Sequence, residues 1–224
     1  RAGQHVAVED RDADGMPGRL PQLAADLVRL NVDIIFARGA GALAAAKQAT
    51  SRIPIVTVDL ESDPLAMGFV RSLAQPGSNI TGVFLDLPEL SGKQLQLLKE
   101  TIRSISRVAI LGDQVLNRPQ FQATEVAARS LAMQPQLLDV RASKDIDTAL
   151  DAASRGRAGA VLLLSSPLVF RYRAEIGALA TKKRLPAVSM FVEFAAAGGL
   201  MAYGPSLREA FRRAGGYAGR ILQG

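Results

Sequence analysis

Apolar residues in this chain come in short unbroken runs, and the stretches between those runs follow a helical period. The run Val32-Asp33-Ile34-Ile35-Phe36-Ala37 leads into Arg38-Gly39-Ala40-Gly41, an Ala-rich helical stretch, and a second run, Ile53-Pro54-Ile55-Val56-Thr57-Val58. Runs of this kind do not alternate. They predict parallel strands covered on both faces, with the helix between them as the crossover. The same pattern continues to the end of the chain. Strands are predicted at 4–9, 32–37, 53–58, 79–83, 106–111, 136–140, 158–164, 186–190 and 200–203. Helices are predicted at 20–30, 40–51, 65–74, 88–103, 119–133, 145–153, 168–183, 191–197 and 206–222. Asp63 with Pro64 reads as the cap and first position of the helix at 65–74. Sustained β-α alternation places the chain in the α/β class with parallel sheets.

The pattern also repeats. Ile34-Ile35-Phe36, a loop, a helix and Arg52-Ile53-Pro54-Ile55-Val56 form one block. Leu162-Leu163-Leu164, a loop, a helix and Arg184-Leu185-Pro186-Ala187-Val188 form another. Two similar lobes are therefore expected, each a small doubly wound parallel sheet. The second lobe carries a strand and helix at 106–133 ahead of its block. The first has no counterpart within the chain, so a longer natural protein is expected.

Composition changes this picture mainly by exclusion. The chain has 224 residues, 48% hydrophobic and 21% charged, which suits a packed globular protein. With no cysteine, there is no disulfide, thiolate metal site or cysteine nucleophile. His5 is the sole histidine, so a His-rich metal site is excluded and a Ser-His-Asp triad would have to use His5. The net charge of +6 admits an anionic partner. Its basic residues are scattered, with the densest cluster at Lys182-Lys183-Arg184 and little aromatic interleaving, so nucleic acid is not expected. No apolar run reaches the length of a membrane helix, and no cofactor fingerprint is present.

In parallel sheets, ligands bind beyond the carboxyl ends of the strands, which selects the candidate positions. Arg38, Gly39, Ala40 and Gly41 stand where small residues and a helix N-terminus can receive an anionic group; the plain alternative is a tight βα turn. Glu61 and Asp63 offer carboxylates after the next strand, although Asp63 also fits a helix cap. Phe84 follows the strand at 79–83. Asp113, Ser165 and Ser166 occupy the equivalent strand ends of the second lobe, where the serines also fit helix caps. Phe191 and Glu193 lie in the aromatic, Gly-broken tail 191–205, with core packing the alternative for one of Phe191 and Phe194.

Four segments, 24–56, 62–83, 90–111 and 198–224, carry a resemblance. Its most specific runs are Leu73-Ala74-Gln75-Pro76-Gly77-Ser78-Asn79-Ile80-Thr81-Gly82 and Gly198-Gly199-Leu200-Met201-Ala202-Tyr203-Gly204. The chain resembles the ABC-transporter substrate-binding protein family whose best-known members bind aromatic amino acids such as tryptophan. That resemblance implies a type I periplasmic binding fold: two doubly wound lobes, 1–81 with 204–224 and 82–203, joined by a hinge near 79–83 and 199–204. It also implies hinge closure around a small carboxylate-bearing, aromatic or amino-acid solute, without catalysis and without a cofactor. The implied partner is a membrane permease, and the implied place is periplasmic or extracytoplasmic, membrane-associated for a lipoprotein, with the protein a monomer. By the same resemblance, Gly39, Ala40 and Gly41 hold the ligand carboxylate, and Ser166 falls where amino-acid binders carry an aspartate for the ammonium. Serine lacks that charge and Arg38 adds a cation, which favours a carboxylate without an ammonium group. Two other readings stay open: the effector-sensing core of a transcription regulator of this fold, and an α/β enzyme using Asp, Glu and Lys.

Overall fold

The computed structural model describes residues 6–14, 16–60, 62–85, 87–115 and 117–224. The chain divides into two compact units, Arg1–Leu85 with Ala210–Gly224, and Asp86–Glu209.

In the first unit, a short 3-10 turn (Pro17–Arg19) runs into helix α1 (Leu20–Arg29). Strand β1 (Ile35–Arg38), helix α2 (Gly39–Ala49), strand β2 (Ile55–Asp59) and strand β3 (Ile80–Phe84) follow. The strands form a parallel sheet in the order β1-β2-β3, with Ile35 beside Ile55 and Ile55 beside Ile80. Every residue of β2 is buried, as expected of a central strand covered on both faces. Ile55 and Val56 are fully buried, and such side chains each contribute about 1.5–3 kcal/mol through removal from water. Leu43, Ala46, Phe69 and Val70 complete this core.

Two expectations fail in this unit. Of the strand at 4–9, residues 4 and 5 lie outside the described residues; Val6 makes an isolated bridge, and 7–9 are exposed and irregular. The helix at 65–74 is a single turn. Asp63 does cap it, its Oδ1 accepting from Leu65 N at 2.8 Å and Ala66 N at 3.2 Å. Gly68 then takes a φ of 63°, while Phe69 N donates to Pro64 O and Gly68 N to Leu65 O. This pair of bonds closes a helix rather than extending it, and it turns Phe69 into the core. Beyond it, the Gln75–Asn79 motif is pinned locally. Arg71 N donates to Pro76 O, Ser78 Oγ to Phe69 O at 3.1 Å, and Asn79 Nδ2 to Ile53 O at 2.7 Å.

The second unit contains α3 (Leu87–Thr101), β4 (Arg107–Gly112), α4 (Arg118–Ser130), β5 (Gln134–Asp139), α5 (Lys144–Arg155) and β6 (Ala160–Leu163). It continues with α6 (Pro167–Arg171), α7 (Arg173–Lys182), β7 (Ala187–Ser189), α8 (Val192–Ala196) and β8 (Met201–Ala202). The strands form an all-parallel sheet in the order β5-β4-β6-β7-β8. The apolar runs read from the sequence are its interior: β4 is buried from Val108 onward and β6 throughout. β5 stands at the sheet edge, half-exposed, where Pro135 costs no ladder bond. The single helix expected at 168–183 is divided at Tyr172, whose ψ of 16° departs from the helical value. Nearly all of α9 (Leu207–Gln223) belongs to the first unit, where Ala210 and Ala214 are buried.

Candidate functional site

In the first unit, β1 passes into α2 without a loop. Arg38 is the last strand residue and Gly39 the first helical one. Gly39 makes this possible with a φ of 80°, a conformation that side-chain-bearing residues rarely adopt. Among the described residues no side chain caps α2, and its N-cap residue Arg38 makes no such bond, so its first amides stand at the positive end of the helix dipole. Arg38 is exposed beside them, and Gly39 and Ala40 are half-buried. Arg38 is thus a strand end and Gly39, Ala40 and Gly41 are helical positions, the helix starting one residue before the predicted 40.

The neighbouring strand end holds a further carboxylate, at the start of the acidic stretch that follows the run 53–58. Asp59 closes β2 and is fully buried. Its Oδ1 accepts from Ser62 N at 3.2 Å, and Ser62 Oγ donates to its Oδ2. Thr57, two residues earlier, donates from Oγ1 to Ala37 O at 2.9 Å, tying β2 to β1. Glu61 lies outside the described residues. Asp63 is exposed and engaged as a cap. Phe84 ends β3 and packs against the first unit's core.

In the second unit, the candidate residues meet a buried polar layer. Asp113 follows β4; its Oδ1 accepts from Val115 N at 2.8 Å. Ser166 is the N-cap of α6, its Oγ accepting from Val169 N at 3.1 Å. Ser165, 2% exposed, has a hydroxyl with no hydrogen-bond partner among the described residues. Phe191 is buried and meets Phe170 edge-on at 4.9 Å, and Phe194 is buried too, so both aromatics are core. Glu193 is exposed in the first turn of α8.

Behind these loops stand amides that sequence reasoning missed. Asn117 is 2% exposed and joins two strand ends: its Oδ1 accepts from Asp113 N at 3.1 Å, and its Nδ2 donates to Ser165 O at 2.7 Å. Asn117 Nδ2 also lies 3.3 Å from Gln120 Oε1, and Gln120 Nε2 donates to Ser91 Oγ at 2.7 Å. Gln94, on α3, donates to Tyr203 O at 2.8 Å. A signal was present in the sequence. Ser91, Gln94, Leu95 and Leu98 follow the spacing of one helix face, so two polar residues occupy positions where α3 should be apolar. Buried polar groups of this kind are kept only where partners satisfy them.

Two shallow hollows, about 300 and 260 Å³, flank β5. The second reaches Gln114 and Val115 beside Asp113; neither is lined by Ser165 or Ser166. Among the described residues, no group of three His, Cys, Asp or Glu is placed to hold a metal ion, and no helix is long and apolar enough to cross a membrane. The titratable groups displaced from their ordinary ionisation, Asp26, Asp151 and Lys183, lie on or beside helices and not at strand ends.

The fold is shared with solved structures. A conserved domain protein from Vibrio cholerae superposes with a TM-score of 0.89 at 20% identity, over 100% of this chain and 75% of that one. An ABC domain from Streptococcus pneumonia, solved with L-Trp, gives 0.85 at 16% identity, over 98% of this chain and 75% of that one. In sequence, the tyrosine-binding protein of Clostridioides difficile is 20% identical over 226 residues, 99% of this chain. This chain spans 64% of that relative's length. The model of the ABC transporter substrate binding protein family matches residues 1–224. Two parallel-sheet units of repeated pattern, with polar groups gathered at strand ends, agree with that match: the chain belongs to the ABC transporter substrate binding protein family.

Proposed function

We propose that this chain is the solute-binding component of an ABC uptake transporter. Its two units close by hinge motion, near 79–83 and 199–204, around a small carboxylate-bearing solute, aromatic in character. The observation that carries the reading is the uncapped start of α2 behind Gly39, with Arg38 beside it, together with the buried polar layer under Asp113, Ser165 and Ser166. Free helix amides and a cation suit a carboxylate. Neutral hydroxyls and amides suit a hydrogen-bonding group without a full charge. Ser166 Oγ is already engaged in capping α6, so this position offers an ammonium group no counter-charge. The reading therefore favours an aromatic acid over the zwitterionic amino acids, tryptophan and tyrosine, named for two relatives. A membrane permease is the partner, the location is periplasmic or otherwise extracytoplasmic, and the protein works as a monomer. Binding alone completes the role, so a bound solute is released unchanged.

Calorimetric titration with L-tryptophan, L-tyrosine, their deaminated propanoic acids and benzoate tests this. The acids are expected to bind at least tenfold more tightly than the amino acids, about 1.4 kcal/mol. Tight binding of an amino acid alone overturns the solute class. Conversion of any ligand, seen by mass spectrometry after incubation, overturns the non-catalytic role.

A further inference from the structure

We propose that Asn117 is a positioning residue for the solute site, bracing two strand-end loops of the second unit so that the hydroxyl of Ser165 is left unspent. The inference rests on the proposed solute-binding role. Asn117 begins the turn into α4, 48 residues before Ser165 in sequence, yet its carboxamide touches both loops. Oδ1 takes the amide of Asp113, and Nδ2 donates to the carbonyl of Ser165. The side chain is 2% exposed, so neither bond competes with bulk water. Its other neighbour, Gln120, is anchored in turn to Ser91 on α3. An uncharged amide accepts through its oxygen and donates through its nitrogen, so one side chain can hold both loops. With the Ser165 carbonyl held by Asn117, the Ser165 hydroxyl stays buried without a partner among the described residues. A buried hydroxyl is costly to leave unbonded, and a bound solute would supply the missing partner.

Asn117→Asp keeps the shape and the acceptor for Asp113 but replaces the donor that holds Ser165. Amide hydrogen exchange of the variant is expected to quicken in both 113–115 and 164–169 while β4 and β6 keep their protection. Affinity for the tightest probe among L-tryptophan, the deaminated acids and benzoate is expected to fall roughly tenfold, the scale of one lost hydrogen bond to a buried group. Should this variant fail to fold, Asn117→Ala gives the same readouts. Thr124→Val is the control, because it removes a neighbouring buried bond to Gln120 O and serves neither loop; it is expected to lower the melting temperature and leave affinity unchanged. Quickened exchange confined to 113–117 or spread evenly through the unit overturns the proposal, as does affinity within twofold of wild type. If the wild-type protein binds no probe, the solute class of the proposed function fails, and the exchange pattern alone decides whether Asn117 braces both loops.

Discussion

Ser165 and Ser166 are adjacent, similarly buried and chemically identical, yet their hydroxyls have different fates. Ser166 Oγ is taken up by Val169 N, while Ser165 Oγ has no partner among the described residues. Leaving a buried hydroxyl unpaired costs about 1–3 kcal/mol. Ser165→Ala is therefore expected to raise the stability of the solute-free protein by about 1 kcal/mol and to weaken solute binding roughly tenfold. Denaturant melts and titration of the same variant read the two effects separately; equal affinity with raised stability would remove Ser165 from the site. Which of the two serines caps the helix was not legible in the sequence, since both stood in the loop before the helix predicted at 168–183. The burial of Asp59 was equally hidden. Asp59 stands just past the apolar run 53–58, and β2 extends one residue beyond that run and draws it under cover.

At the scale of elements, most of the reading held because local periodicity decides it. Strands and helices fell close to the expected places wherever the apolar pattern ran for a whole element. The exceptions have local causes. Gly68 in the left-handed region stopped a helix after one turn, and a single β-run into α2 replaced a loop once Gly39 absorbed the change of direction. The pattern of charges decides less. Lys183, in the densest basic cluster, is paired: it joins Asp147 at 2.9 Å and Asp151, both on α5. These hydrogen bonds, Asp151 first, hold Lys183 above its ordinary value of 10.5 and hold Asp151 below its ordinary 3.8. The raised lysine contributes below 10.5 and loses its contribution as pH rises through its folded value. The lowered aspartate contributes above 3.8 and loses its contribution as pH falls through its folded value. Lys183→Met is therefore expected to lower the melting temperature by about 1–2 °C at pH 7, the range of an exposed ion pair. The difference from wild type is expected to shrink once pH falls below 3.8. Thermal melts across pH check this; a gap that does not change with pH would show that packing of the lysine stem, not its charge, joins α5 to α7.

At the scale of the whole molecule, the repeat predicted two similar parallel sheets. Among the described residues the units have sheets of three and five strands, with β1, β2 and β3 the counterparts of β6, β7 and β8. The proposed closure makes a measurable statement. Saturation with a binding solute is expected to reduce the radius of gyration in solution X-ray scattering. At a hundred times its dissociation constant, that solute is also expected to add about 2.7 kcal/mol of stability. Stabilisation without contraction would keep the binding role and discard hinge closure.

By itself, the sequence determined the class of fold, the parallel character of the sheets, the repeat and the family resemblance. All of these rest on features a few residues long: unbroken apolar runs, helical spacing, and Gly and Pro at turns. Only the tertiary structure decided which polar residues are withdrawn from water and what they meet there. Asn117 and Ser165 are far apart in the chain and close in space because β4 and β6 are neighbours in the sheet. A hydrogen bond between them depends on that adjacency, and no local pattern records it.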